Sequence, residues 1–178
     1  MARCVSFSMN LLDRLLGHDA WTTRQLLLLC QNLTDDQLDR ESDIGHRTVR
    51  ATFQHIIRNV EVWSDLMAGR PVTPNQDARA QDQSVATLLV QLDHAAANLA
   101  DISRAVAERD GWDERFVDPL DGIEKSYGGS IAHILTHSMH HRAQLLYLLR
   151  RLGVAGLPEG DVLSWEQHTT DRNGPNEQ

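Results

Sequence analysis

The sequence is poor in several residue types, and each shortage excludes a class of protein. It has only two cysteines in 178 residues, Cys4 and Cys30, so it offers neither a disulfide framework nor a paired-cysteine metal motif. Its 17 basic residues face 25 acidic ones, and a formal net charge of −8 argues against binding to nucleic acid. The longest leucine run, Leu26–Leu29, is far shorter than the ~20 residues of a membrane span. We therefore expect a soluble, cytoplasmic protein.

Aromatic residues are also scarce, at 5 %, whereas leucine and alanine are abundant, which favours helix over sheet. Apolar residues recur with helical period in four long segments, and the chain length fits a single domain over residues 1–178. The sequence therefore predicts an all-α four-helix bundle with a core over about residues 9–153. The predicted helices run from about Met9 to Gln31, Thr48 to Met67, Ser84 to Glu108, and Ser130 to Leu152.

The connections between these helices differ in length. Thr34 to Gln37 resembles a capping box for one short helical turn. Long connections follow the second and third helices, and the later one, from Asp110 to Tyr127, predicts a turn with short extended arms. The C-terminal tail, residues 154–178, contains one apolar anchor that includes Trp165 and ends in a polar run that we expect to be loose.

The fourth predicted helix carries an unusual density of histidine. His133, His137, His140 and His141 lie within nine residues, and the whole chain has only nine histidines. His137 and His141 are four residues apart, so they stack on one face of a helix and form half of a site for a divalent transition metal. The alternative is a polar seam in which the histidines bond to each other, to carboxylates or to water.

A metal needs a further ligand from a facing helix. His55 lies within the apolar stripe of the second helix, beside Phe53 and Ile56, and is the candidate third ligand. Three imidazoles with an open position are typical of a catalytic metal site rather than a structural one. The sequence thus predicts His55, His137 and His141 as metal ligands.

The remaining histidines receive different predictions. His18, in the first helix, is open to several roles: a fourth ligand, a base behind the ligands, a substrate contact or an ordinary surface residue. His133 is expected to support the site from one turn earlier, and His140 to point at a neighbouring helix or solvent. We expect three others to be exposed to solvent: His46, His94 and His168.

Three segments together resemble the DinB-like superfamily, which includes the YfiT-like proteins and thiol-dependent transferases and isomerases. The run His133–Gln144 resembles its last-helix signature. Thr52–Ile56 with Trp63 and Gly69 resembles the second-helix motif, and Leu11–Leu29 with Asp19-Ala20-Trp21 resembles the first helix. The resemblance spans roughly residues 9–168.

The resemblance implies a four-helix bundle, usually dimeric, that holds one divalent metal through three histidines. By motif position these are His55, His137 and His141. Arg142 and Gln144 match the family's residues after the last ligand, whereas Ala143 stands where the family more often has glycine. Better-understood members use low-molecular-weight thiols as co-substrates.

Three functions remain open at this point. Imidazole ligands favour Zn or Ni, and the resulting enzyme would be a thiol-dependent S-transferase or a hydrolase that uses metal-bound water. A non-catalytic metal-binding protein of the stress response is the third. The general base is unidentified; Glu61 and Asp19 are candidates, and His18 and Arg142 are the candidate catalytic residues. The leucines of the first helix cover every side of it, which predicts a homodimer.

Overall fold

The computed structural model describes residues 9–72 and 83–173, and within them the chain is mostly helical. The four predicted long helices are present, joined by a short helix, a small two-stranded hairpin and a C-terminal helix, and the all-α fold class is confirmed. In chain order the elements are α1 (Leu11–Leu29), α2 (Asp35–Leu38), α3 (Val49–Met67), α4 (Val85–Glu108), β1 (Arg115–Val117), β2 (Glu124–Ser126), α5 (Tyr127–Arg151) and α6 (Val162–Asn173).

Side-chain caps set the starts of these helices. Asn10 accepts a hydrogen bond from the backbone N–H of Asp13 at 2.8 Å, and Thr48 accepts one from Ala51 at 3.0 Å. Such caps pair backbone donors that have no partner inside the helix. The capping box at Thr34 is present and begins α2 as predicted.

The last long helix begins earlier than predicted, at Tyr127 rather than near Ser130, with Ser126 as its cap. Gly128 and Gly129, which precede the predicted start, lie in the first turn of α5, where the backbone N–H groups have no acceptor within the helix. Gly128 is required there for close approach. A Cβ at this position would lie 3.0 Å from the carbonyl oxygen of Trp112, which accepts the Gly128 N–H at 2.8 Å.

The four long helices bury one apolar core. Helices α1 and α3 each make extensive contacts with both α4 and α5, which places α1 and α3 at opposite corners of the bundle. The long connection from α4 to α5 therefore joins helices at opposite corners, whereas α3 and α4 are direct neighbours. The short antiparallel pairing of β1 with β2, which matches the predicted extended arms, lies in the connection before α5. Fully buried core side chains include Leu26, Leu27, Phe53, Ile56, Ile134, Leu145 and Leu149.

The C-terminal segment is more ordered than predicted, because α6 packs against α1. Trp165 is indeed an anchor and is only 5 % exposed. Its ring lies over Gly17, where a Cβ would approach to 2.6 Å, so α1 accepts the indole only because glycine leaves space. The sequence signal was weak because α6 has few other apolar residues. Residues 174–178 of the predicted loose run lie outside the described part of the chain.

The outer surface of α1 offers less apolar area than its leucine run suggests. Leu26 and Leu27 are buried inside the chain, and Leu28 and Leu29 are half-buried. The homodimer therefore stays a prediction, and α1 offers less exposed apolar surface for a subunit interface than the sequence suggested. In the described ranges, no helix combines the length and apolarity that crossing a membrane requires.

Candidate metal centre

Helices α3 and α5 bring three histidines together where they pack against each other. The Nε2 atom of His137 lies 3.1 Å from Nε2 of His55 and 3.3 Å from Nε2 of His141. The ring centres form a nearly equilateral triangle: 4.8 Å for His55–His137, 4.7 Å for His55–His141 and 4.5 Å for His137–His141. We call these three residues the histidine triad; they are the three predicted ligands.

The spacing of the triad fits a shared cation better than it fits hydrogen bonds. Metal–nitrogen bonds of ~2.0–2.1 Å place two ligand nitrogens roughly 3.0 Å apart in octahedral geometry and roughly 3.4 Å apart in tetrahedral geometry. The nitrogen atom of His137 carries either one N–H or one lone pair, so it cannot form good hydrogen bonds to both neighbours. A divalent ion between the rings would satisfy all three lone pairs at once.

Gln144 fixes the tautomer of His141. The Nδ1–H group of His141 donates to Oε1 of Gln144 at 2.8 Å, which leaves the lone pair on Nε2, the atom that faces the triad. Gln144 in turn donates to Nε2 of His140 at 3.0 Å. By contrast, Nδ1 of His137 is buried without a hydrogen-bond partner among the described residues, so packing alone orients that ring.

Burial keeps the triad uncharged at neutral pH. Desolvation, reinforced by the neighbouring imidazoles, lowers the pKa of His55 and of His137 to about 4. Burial also lowers the pKa of His141, although its bond to Gln144 opposes the shift. Neutral imidazole is the form that binds a metal, so the triad is ready to bind without first losing protons.

His46 joins this cluster from the loop between α2 and α3, a position that the sequence did not reveal. It retains exposed surface, as predicted, but its ring stacks on His55 with centres 3.7 Å apart and lies 5.1 Å from His141. Potential ligand nitrogens of His46, His55 and His141 all lie within 4.8 Å of one another. Two imidazoles on one ion have ring centres roughly 4.5–5.2 Å apart. The His46–His55 stack is closer than this, so the ring of His46 lies against that of His55, whereas its distance from His141 falls within the range.

The other histidines of the last long helix lie around the triad on its exposed side. The ring of His133 lies 5.4 Å from that of His137 and 5.0 Å from Trp63, in agreement with a supporting position one turn earlier. His140 is exposed and bonded to Gln144. Two more exposed histidines, His94 and His168, agree with the sequence prediction.

The two candidate catalytic residues, His18 on α1 and Arg142 on α5, lie on the side of α5 that faces away from the triad. His18 is 5 % exposed and donates from Nε2 to the carbonyl oxygen of Gly160 at 3.0 Å, which ties α1 to the segment before α6. Arg142 forms a buried ion pair with Asp19 and reaches Oγ1 of Thr23 at 3.3 Å. Their catalytic roles stay predictions, because these contacts are to α1 and the C-terminal segment. Asp19, a candidate general base, is already paired with Arg142 on this side of the bundle.

Comparison with known proteins agrees with this architecture. A search of curated protein sequences finds no match. The model of the DinB family matches residues 7–173, which is almost the entire chain. The match includes the four-helix bundle and every histidine of the cluster. The chain belongs to the DinB family.

Proposed function

We propose that this chain is a divalent-metal-dependent enzyme whose metal is held by His55, His137 and His141. The observation that carries the proposal is that Nε2 of His137 lies 3.1 Å from Nε2 of His55 and 3.3 Å from Nε2 of His141, spacings typical of ligand nitrogens on one ion. Imidazole nitrogen favours Zn or Ni over Mg or Ca, which prefer oxygen ligands.

We further propose that the reaction is a thiol-dependent S-transfer. A metal held by three neutral imidazoles keeps its full positive charge and supplies a Lewis acid that lowers the pKa of a bound thiol or water. Among the described residues, His46, His55 and His141 form a group with metal-ligand spacing that includes no Asp or Glu, and the hydrogen bonds of the triad go to histidine and glutamine and to no carboxylate. Hydrolysis by bound water usually depends on a nearby general base, whereas a thiol with an ordinary pKa of ~8.5 needs less help to ionise.

The proposed transfer is balanced without a redox partner. With an epoxide as the electrophile, the thiolate sulfur forms a bond to carbon, the carbon–oxygen bond breaks, and the new alkoxide takes up the proton that the thiol released. The chain's own contribution is to hold the imidazoles neutral and oriented. Gln144 does so for His141 through the bond to Nδ1.

The test combines metal analysis with spectroscopy of the Co²⁺-substituted protein. We expect about one ion per chain, and a charge-transfer band on addition of 2-mercaptoethanol because sulfur enters the coordination sphere. Transfer of the thiol to an epoxide should be faster with the native protein than with His137→Ala. His94→Ala is the matched control, because His94 is an exposed histidine on α4.

The possible outcomes separate the three functions. A spectrum that ignores thiols but responds to hydroxide would favour the hydrolase. Metal binding without a response to either would favour a non-catalytic metal-binding protein. Failure to bind Zn, Ni, Co, Mn or Fe would overturn the metal site itself.

A further inference from the structure

The loop between α2 and α3 is shaped to hold His46 beside the triad. Both the backbone N–H and the Oγ hydroxyl of Ser42 donate to the carbonyl oxygen of Arg47 at 2.8 Å, which closes the loop around His46. Gly45 and Arg47, on either side of it, have φ values of 54° and 71°. A non-glycine residue in this region costs ~1–3 kcal/mol, so surrounding contacts must hold Arg47 there.

Gln144 connects this loop to the triad. A Cβ at Gly45 would lie 2.2 Å from Oε1 of Gln144, so the loop approaches this amide closely only because residue 45 is glycine. The same Oε1 atom accepts the hydrogen bond from His141. The position of His46 and the orientation of a triad ligand therefore depend on one side chain.

The imidazole of His46 has nitrogen atoms to offer. Within residues 9–72 and 83–173, neither ring nitrogen has a hydrogen-bond partner, and one lies within 4.8 Å of ligand nitrogens of both His55 and His141. Rotation of the side chain away from its stack on His55 is the movement needed to direct this nitrogen to an ion in the triad.

We propose that His46 is a fourth, displaceable ligand of the metal. In the substrate-free protein its imidazole completes the coordination sphere that the triad begins, and the donor atom of an incoming substrate replaces it. The inference rests on the proposed metal site. It adds a loop-borne ligand that protects the metal until a competing donor arrives.

The test compares wild-type protein with His46→Ala and His46→Gln after loading with Co²⁺, and uses azide as the competing donor. Loss of a ligand should lower Co²⁺ affinity by at least about tenfold, the lower end of the effect of an outer-shell partner. Azide affinity should rise in both variants because no imidazole has to be displaced. Added imidazole should restore the wild-type visible spectrum of His46→Ala. His168→Ala, an exposed histidine on α6, is the control.

A fall in Co²⁺ affinity together with a rise in azide affinity would show that His46 is a ligand and does more than support His55. If Co²⁺ affinity falls while azide affinity stays constant, His46 only braces His55 and the inference is wrong; unchanged spectra and affinities would also overturn it. If wild-type protein fails to bind Co²⁺, the proposed metal site is wrong as well. Circular dichroism checks the fold, and the glutamine variant preserves a polar side chain in the loop.

Discussion

Two polar sites lie on opposite sides of α5, and consecutive residues belong to them. Arg142 faces α1, where it is 3 % exposed and paired with Asp19, itself 7 % exposed. His141 belongs to the triad and faces α3; burial, reinforced by His140, lowers the pKa of its imidazole and so disfavours positive charge there. The Arg142–Asp19 site contains a positive and a negative charge that neutralise each other. The triad contains three imidazoles with lone pairs and no acidic group.

This difference predicts a structural role for the Arg142–Asp19 pair and a ligand-binding role for the triad. A buried guanidinium with its own carboxylate is balanced by groups in the chain, and its removal leaves an uncompensated charge. The imidazoles of the triad carry no charge that needs a partner in the chain, and the proposed metal would use their lone pairs. We therefore expect substitutions on the α1 side to change stability, and substitutions on the α3 side to change metal binding.

The largest effect is expected on the α1 side. Arg142→Ala should lower the free energy of unfolding by about 3–5 kcal/mol, because Asp19 stays buried without a partner. The exposed Arg150 on the same helix is the control, and Arg150→Ala should change stability by less than about 0.5 kcal/mol. Urea denaturation of the metal-free proteins measures both. A loss below about 1 kcal/mol for Arg142→Ala would show that the ion pair is not structural.

The next effect is on metal affinity. His137→Ala and His141→Ala should each weaken Zn²⁺ binding by more than about 100-fold, since even partners outside the ligand shell contribute about 10–100-fold. Because His141 is a buried side chain, circular dichroism of the metal-free variants checks that they remain folded. Competition with a chromogenic chelator measures the affinity, with His94→Ala as the control. Equal affinities in all four proteins would contradict the assignment of the triad.

The sequence predicts the triad because its signals are local. His137 and His141 follow helical spacing, and His55 lies in an apolar stripe that has to face the core. The long helices are predictable for the same reason: apolar period and capping residues occur within each segment.

The features missed by sequence reasoning depend on contacts between distant segments. His46 reaches the triad because a closed loop turns back on Gln144, which is about 100 residues later and is invisible to any periodicity. Helix α6 forms on a polar sequence because Trp165 packs over Gly17. The Gly45-His46-Arg47 sequence just before the cap of α3 was the only local signal for the loop, and it reads equally well as an ordinary turn.

A smaller effect should reveal how much Gln144 contributes. Gln144→Ala removes the acceptor that holds the Nδ1–H group of His141, so Zn²⁺ affinity should fall by about 10–100-fold without loss of a ligand. Gln144→Glu retains an acceptor oxygen and should recover most of the affinity. Chelator competition is again the measurement. If the alanine variant binds as wild type does, the Gln144 bond does not orient the ligand.

The smallest effect is the pH dependence of the metal-free protein. His55 and His137 have a pKa of about 4 when folded and 6.5 ordinarily, so between these values the unfolded chain binds more protons. Their contribution to stability is therefore fully present above pH 6.5 and lost progressively as the pH falls toward 4. The rings remain partly solvated, so the effect is limited. With chelator present, we expect Tm to drop between pH 7.5 and pH 5 by roughly 2–4 °C more in wild type than in His55→Gln, which corresponds to ~1 kcal/mol. Carboxylates elsewhere titrate equally in the two proteins, so an identical drop would show that burial of the imidazoles does not govern the acid response.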